Sequence, residues 1–161
     1  MGNIIRIGVF SDSHGEHQAL RDAVRAAGVL NGAIFLGDYA GDGQVLVNEG
    51  LPTAIVRGNN DFGSSAADEL VLEEGGVKLF CTHGHRYGVS FGTDKLYYRA
   101  KELNVQVALF GHTHRPLLEN NGGLLILNPG SVAYPRFSGP SYAVLEIAEG
   151  KIRADIRWVY D

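Results

Sequence analysis

Short apolar runs that end abruptly in polar residues recur along this chain and limit the folds open to it. The first run, residues 4–10, is interrupted only by Arg6 and Gly8 and leads into Asp12 and His14. Because β-branched and aromatic residues dominate it, we expect a central strand that is buried on both faces. Side chains two residues apart in an extended segment point the same way, so Asp12 and His14 can reach one metal ion. Taken alone, the stretch is more simply explained by Asp12 capping a helix and His14 lying at the surface.

Four further apolar runs end in the same kinds of residue, and together they favour a metal site over the helix-cap interpretation of Asp12. The segments 33–36, 53–56, 77–81 and 105–110 each predict a strand. The polar residues that follow these strands are, in order, Asp38; Asn59, Asn60 and Asp61; His83 and His85; and His112 and His114. In open α/β sheets, ligands bind outside the carboxyl ends of the strands. The pattern therefore predicts one site at which several strand ends meet.

Apolar residues at helical spacing predict three helices, over residues 19–27, 43–50 and 93–103. Residues 70–72 and 77–81 are expected to form an antiparallel hairpin, and further strands are expected at 124–127 and twice within 142–160. The first part of the chain thus alternates strands and helices, whereas the last third is rich in strands. We expect an α/β fold of two packed sheets with helices on their outer faces, in a single domain over residues 1–161.

Composition disfavours several classes of protein. Of the 161 residues, 45% are hydrophobic and 20% are charged, which is ordinary for a globular protein with one substantial core. The net charge of -4 disfavours a nucleic-acid partner, although a local basic patch stays open. The single cysteine, Cys81, cannot form an internal disulfide, no apolar run reaches the ~20 residues of a membrane span, and no signal-peptide pattern is present. We therefore expect a cytoplasmic protein without a membrane partner.

Histidines cluster in a way that indicates a metal centre. Five of the six fall in three glycine-flanked segments, 12–15, 82–85 and 111–114, each of which follows an apolar run. Histidine, aspartate and asparagine supply nitrogen and oxygen ligands, which suit manganese, iron, zinc, nickel or magnesium. So many ligands favour a binuclear centre, because two metals about 3.5–4 Å apart can clamp a phosphoryl group and activate a bound water.

The order of these motifs resembles that of the calcineurin-like metallophosphoesterases. The compact chain is most similar to the small bacterial and archaeal phosphodiesterase branch of that superfamily. The motifs that carry the resemblance are Asp12-Ser13-His14, Gly37-Asp38, Gly58-Asn59-Asn60-Asp61, Thr82-His83-Gly84-His85 and Gly111-His112-Thr113-His114. The resemblance implies a four-layer αββα sandwich, in which two mixed β-sheets are flanked by helices and the metals lie at the strand tips.

The same resemblance implies a set of metal ligands. Seven side chains would hold two divalent ions: Asp12, His14 and His114 the first, Asn59, His83 and His112 the second, and Asp38 both. A hydroxide bridging the two ions would be the nucleophile for in-line attack on phosphorus. Manganese is the expected metal, with nickel, zinc, iron or magnesium as alternatives.

Three further residues are candidate catalytic groups. Many members of the superfamily carry a histidine at the position of Asn60 that is thought to protonate the leaving group, and an amide cannot do so. Asp61 is retained, but its usual task is to orient that histidine, so its function here stays open. His85 is expected either to face the substrate, to support a metal ligand, or to have a structural role.

Three more residues near the motifs have a simpler interpretation. His17 is expected at the surface of the first helix. Arg57 and Arg115 adjoin proposed ligands and could pair with a phosphate, but a solvated arginine is the simpler interpretation of each.

The complete ligand pattern predicts a metal-dependent phosphoesterase that hydrolyses small phosphodiesters, since no extra domain is present to grip a macromolecule. Two other functions stay open. One is a protein-binding scaffold resembling the retromer subunit that shares this fold. The other is a nuclease, which would need a positively charged track beside the site. A homo-oligomer also stays open.

Overall fold

The computed structural model describes residues 3–136 and 138–160 and contains two five-stranded sheets. Their strands are β1 (Ile5–Phe10), β2 (Gly32–Phe35), β3 (Thr53–Ile55), β4 (Glu69–Glu74), β5 (Val77–Thr82), β6 (Val107–Leu109), β7 (Leu117–Asn121), β8 (Leu124–Asn128), β9 (Ser141–Ala148) and β10 (Lys151–Trp158). The α-helices are α1 (His17–Ala27), α2 (Gly43–Asn48) and α3 (Asp94–Glu102). Short 3-10 turns cover Ala40–Asp42, His85–Tyr87 and Val89–Phe91.

Each sheet is mixed: the first has antiparallel pairs at one edge, and the second has an antiparallel pair at both edges. The first sheet has the order β10-β9-β1-β2-β3, and β1, β2 and β3 run parallel. The second has the order β4-β5-β6-β8-β7, and β5, β6 and β8 run parallel. The carboxyl ends of the parallel strands in each sheet therefore lie at one edge, where the predicted site residues follow them.

Three apolar clusters separate four layers. The central cluster joins the inner faces of the two sheets, for example Val9 and Ile34 of the first with Leu79 and Val107 of the second. A second cluster packs α1 and α2 on the outer face of the first sheet, and a third packs α3 on the outer face of the second. Phe10 belongs to the second cluster while Val9 belongs to the first, so β1 is buried on both faces as expected. The predicted αββα sandwich of two mixed sheets is confirmed.

Among the described strands, β7 is the one that the sequence does not predict. It pairs antiparallel with β8, with Leu118 opposite Leu127, and the connecting residues Gly122 and Gly123 both have positive φ. A two-residue turn with positive φ at both positions matches the twist of a hairpin. Pairing with β8 therefore overrides the weak strand preference of the Glu-Asn-Asn sequence at the end of β7.

The described helices are short. The longest, α1, has 11 residues, and none within residues 3–136 and 138–160 combines the length and apolarity needed to cross a membrane.

Candidate metal centre

Tight turns, and not extended segments, carry the side chains at the strand tips. Asp12, His14, His112 and His114 have φ values of 58°, 45°, 72° and 60°. The expectation that Asp12 and His14 lie on an extended segment is therefore wrong, since an extended residue has negative φ. Aspartate and histidine tolerate the left-handed region better than most residues, although it still costs about 1–2 kcal/mol per residue. The turns nevertheless aim all four side chains at one place.

A first group of three ligand atoms forms beside the ends of β1 and β6. Asp12 Oδ1 lies 3.4 Å from His114 Nε2 and 3.8 Å from His14 Nε2. The two histidine Nε2 atoms are 3.3 Å apart. These three atoms have the mutual spacing expected of ligands to one metal ion.

A second group joins the first through the two aspartates. His83 Nε2 lies 3.5 Å from Asp38 Oδ1 and 3.9 Å from Asp12 Oδ1. The other oxygen of Asp38, Oδ2, lies 3.7 Å from His14 Nε2, so the two oxygens of this carboxylate face different histidines. Asp12 Oδ1 belongs to both groups. Carboxylates in such positions can hold two cations close together despite their mutual repulsion.

Asn59 and His112 form a third contact at the exposed side of the site. Asn59 Oδ1 lies 3.1 Å from His112 Nδ1. The ring of His112 is 5.2 Å from that of His83, centroid to centroid. All seven predicted ligands are therefore brought together at the strand tips.

Two buried atoms in the centre lack a hydrogen-bond partner among the described residues. They are Asp12 Oδ1 and His83 Nε2, both on fully buried side chains. The opposite ring nitrogens of two histidines are occupied: His83 Nδ1 donates to the Leu36 carbonyl and His114 Nδ1 to the Tyr134 carbonyl, each at 2.7 Å. These bonds leave the Nε2 lone pairs directed into the centre, as metal-binding histidines require. Since unpaired buried polar atoms are costly, the residues present fit divalent metal ions.

The charges of the site are coupled. Burial by itself would raise the pKa of Asp12, but the close imidazoles of His114 and His14 hold that pKa well below its usual range. The nearby carboxylate of Asp12 in turn raises the pKa of His114. Burial and the neighbouring His83 lower the pKa of His112, which keeps its ring neutral and able to act as a ligand.

The three predicted catalytic residues lie at different places around the centre. Asn60 donates its side-chain amide to Asp38 Oδ2 at 2.8 Å. Asp61 accepts the backbone amides of Ala40 and Gly58 at 2.7 and 2.6 Å, so it ties two strand-end turns together. His85 is half-buried, its ring lies 5.5 Å from that of His83, and its Nδ1 is buried without a hydrogen-bond partner among the described residues.

Two glycines allow the close packing of these turns. A Cβ on Gly58 would lie 2.1 Å from Asp38 Oδ1, and a Cβ on Gly111 would lie 2.1 Å from Ser11 Oγ and 2.8 Å from Asp12 Oδ2. No side chain is compatible with such distances, so the glycines that flank the motifs are required for the carboxylates to reach their positions.

Sequence analysis missed two residues that hold the ligand-bearing turns. The buried Asp42 accepts the Ser13 hydroxyl and the Gly15 amide, which fixes the turn after β1. Asn128, at the end of β8, donates to the Gly111 carbonyl and so supports the turn after β6. A glycine on each side of Asp42 and a proline after Asn128 resemble ordinary loop sequence, so neither residue carried a local signal.

The residues given a simpler interpretation are only partly solvated. His17 is half-exposed at the start of α1, as expected, but its Nε2 lies 2.9 Å from Asp42 Oδ1. Arg57 pairs with Asp68 at 2.7 Å, which raises the pKa of the guanidinium. Arg115 is exposed and lines a cleft beside His112.

A comparison with family models identifies the superfamily of this chain. The model of the calcineurin-like phosphoesterase superfamily domain matches residues 5–150, which include all seven predicted ligands. The chain belongs to this superfamily. The expectations of a metallophosphoesterase family and of an enzyme that acts on phosphoric esters are thereby confirmed.

Individual relatives agree with this membership. The protein named "Probable metallophosphoesterase YsnB" of Bacillus subtilis is 36% identical over 142 residues, which cover 86% of this chain and 82% of that protein. "Phosphodiesterase YfcE" of Escherichia coli K12 is 41% identical over 102 residues, but these cover 56% of this chain and 50% of YfcE.

Solved structures show the same architecture. A protein of Streptococcus pneumoniae described as a predicted phosphoesterase superposes with a TM-score of 0.79 and 30% identity, covering 98% of this chain and 91% of that one. Vps29 of Entamoeba histolytica, in a structure with zinc, superposes with a TM-score of 0.72 at 22% identity, covering 96% of this chain and 99% of Vps29. At that identity, the likeness to Vps29 concerns the fold alone.

Proposed function

We propose that this metallophosphoesterase hydrolyses small phosphodiesters at a binuclear metal centre. The observation that carries the proposal is the convergence of seven side chains with nitrogen and oxygen ligand atoms. Two of these atoms, Asp12 Oδ1 and His83 Nε2, are buried without hydrogen-bond partners among the described residues. A single ion would not account for ligands that extend from His14 to Asn59 with two carboxylates between them. The family match over residues 5–150 supports one phosphoesterase domain spanning the chain.

The ligands divide into two sets in this proposal. Asp12, His14 and His114 bind the first metal, Asn59, His83 and His112 bind the second, and Asp38 bridges them, as the resemblance implies. The distances of 3.7 Å and 3.5 Å from the two oxygens of Asp38 to His14 and His83 support the bridging role. Nitrogen and oxygen ligands of this kind suit manganese, with nickel, zinc, iron or magnesium as alternatives.

Two bound divalent ions would neutralise the charge of the phosphoryl group and activate the attacking water. The chain's own groups position these parts. Asn60 holds Asp38 in place through its amide, and Asp61 fixes the turn that carries Asn59 and Asn60 against the turn that carries Asp38. His85, which lies beside His83 and has an unpartnered Nδ1, is proposed to contact the bound phosphoryl group.

The proposal is tested by removing metal with a chelator, adding back manganese, nickel, zinc, iron or magnesium, and following hydrolysis of bis-p-nitrophenyl phosphate. We expect turnover only after a metal is restored. The absence of turnover with every metal would contradict a phosphodiesterase and favour the scaffold function, which the shared fold of Vps29 does not by itself distinguish from an enzyme. Turnover of single-stranded oligonucleotides in preference to small diesters would instead favour a nuclease.

The bridging role is tested by Asp38→Asn, which removes a negative charge where two cations meet. We expect weaker binding of at least one metal and a fall in turnover of several orders of magnitude, with an unchanged circular dichroism spectrum. The matched control is Asp22→Asn on α1, where the carboxylate accepts hydrogen bonds from Gln18 and Tyr160 far from the strand tips. Two tightly bound metals and full turnover in Asp38→Asn would reject the bridge.

A further inference from the structure

A cleft of about 520 Å³ begins at His112 and extends away from the metal centre. Its apolar wall includes Val89, Phe110 and Leu117, and its charged wall includes Arg115 and Arg136. The volume lies within the range of about 300–1,000 Å³ that is usual for small-molecule sites. We call it the arginine cleft. Because His112 is a proposed metal ligand, a substrate held by its phosphoryl group at the centre can extend directly into this cleft.

The two arginines are attached to the metal centre through the turn after β6. Arg115 directly follows the proposed ligand His114, and its backbone amide donates to Thr113 Oγ1 at 3.2 Å. The backbone amide of Arg136 donates to the carbonyl of His114 at 3.0 Å. The backbone positions of both cations are therefore set by the segment that carries the ligands, although they lie 21 positions apart in the chain.

A second cleft borders the same centre but has the opposite charge. Its volume is about 500 Å³, and its lining includes Tyr39, Asn60 and Phe62 together with two acidic residues, Asp42 and Asp61. Neither lysine nor arginine is among the described residues that line it. The lining of the arginine cleft, by contrast, includes two arginines and one acidic residue, Glu119. A phosphodiester has two arms, and the two clefts offer these arms different electrostatic surroundings.

We infer that the arginine cleft selects phosphodiesters in which one arm has an apolar body and a second anionic group, a carboxylate or a phosphate. This inference rests on the proposed phosphodiesterase function and specifies its substrate class. Guanidinium groups bind both anions through paired, charge-assisted hydrogen bonds, and the apolar wall covers the body of the arm. The acidic second cleft repels the same anion, so the substrate binds in one orientation, with its uncharged arm beside Asn60.

The test compares two diesters that differ only in charge: p-nitrophenyl 2-carboxyethyl phosphate and its amide, p-nitrophenyl 2-carbamoylethyl phosphate. With the metal-loaded protein, we expect kcat/KM for the carboxylate to exceed that for the amide about tenfold, which corresponds to ~1.4 kcal/mol. In the double variant Arg115→Gln, Arg136→Gln, this ratio should fall to about two or less. A phosphonate in place of the carboxylate shows whether a second phosphoryl group is preferred.

The control variant is Arg25→Gln, which removes an exposed arginine from α1, in the helical layer on the other sheet. It should keep the tenfold ratio. The inference would be overturned by a kcat/KM ratio near one in the parent protein, or by a tenfold ratio that persists in the double variant. In either case, turnover of the amide diester would still support the phosphodiesterase function. If the metal-loaded protein hydrolysed none of the three compounds, neither of the two diesters nor bis-p-nitrophenyl phosphate, both the phosphodiesterase function and the inference would be contradicted.

Discussion

The carboxylate of Asp42 holds the turn after β1, and its removal is expected to weaken both the fold and the metal site. Asp42 Oδ2 accepts hydrogen bonds from the Ser13 hydroxyl and from the Gly15 amide, each 2.7 Å long. Asp42 Oδ1 lies 2.9 Å from Nε2 of His17. Asp42 is 5% exposed and Ser13 is fully buried, so in the folded protein water cannot readily replace the bond between them.

The cost of Asp42→Ala follows from these three contacts. The buried Ser13 hydroxyl loses its acceptor, which costs about 1–3 kcal/mol, and loss of the partly buried bond from Gly15 adds about 0.5–1.5 kcal/mol. The half-exposed contact with His17 adds about 0.2–1 kcal/mol because solvent screens it. A total near 3 kcal/mol is expected to lower the Tm by about 6–12 °C for a domain of this size.

The same change is expected to weaken metal binding. Asp12 and His14 lie in the turn with φ values of 58° and 45°, which the chain would not adopt without support. When Asp42 no longer restrains the turn, part of the energy of metal binding must be used to order it. We expect the affinity for manganese to fall about tenfold, equivalent to ~1.4 kcal/mol.

Thermal unfolding of the metal-free protein and competition with a chelator measure the two effects separately. The control His17→Ala removes only the half-exposed contact and should change stability by less than about 1 kcal/mol. Asp42→Asn keeps an oxygen for Ser13 and Gly15 and should fall between the two. If Asp42→Ala melted within about 2 °C of the parent and bound manganese equally well, the reasoning would be refuted.

Three further outcomes are expected. Gly111→Ala should lower the unfolding free energy measured in urea by about 1–3 kcal/mol, because its Cβ would lie 2.1 Å from Ser11 Oγ; unchanged stability would contradict that close approach. The amide of Asn60 is not acidic enough to protonate a leaving group, and general acid catalysis contributes about 100- to 10,000-fold. Rates across a series of diesters should therefore fall steeply as the pKa of the leaving group rises, whereas a flat profile would reveal another acid. Burial raises the pKa of Cys81 to about 12, so iodoacetamide should label it only after unfolding, and stoichiometric labelling of the native protein would disprove its inertness.

The proposed metal ligands could be placed together from sequence because each one follows the end of a strand within a few residues. Asp38 comes three residues after the end of β2, and His83 comes immediately after β5. A buried strand is a strong local pattern, and parallel strands bring their carboxyl ends to one edge of a sheet. The αββα layers could be predicted in the same way, since alternating strands and helices must bury their apolar faces against one another.

The conformation of the turns could not be predicted, because it depends on contacts between distant segments. Asp12 and His14 are expected on an extended segment, yet both have left-handed backbone conformations. The turn that contains them is held by Asp42, which lies 28 residues after His14 in the chain. Asp42 reaches Ser13 only because Tyr39 has a φ of 67° and a 3-10 turn follows at Ala40–Asp42. Neither feature has a sequence signal of its own.

The arginine cleft also depends on contacts between distant segments, so the proposed chemistry of this site is easier to predict than its specificity. Phosphoryl chemistry depends on the ligands, and these lie in short motifs that follow strands. The arginine cleft depends on Arg136, which comes from the loop before β9 and whose backbone amide donates a hydrogen bond to the carbonyl of His114 in the turn after β6. Substitutions at such loop positions can change the preferred diester while every metal ligand is kept. Relatives that share the seven proposed ligands but lack an arginine at this position are therefore expected to prefer phosphodiesters whose two arms carry no charge.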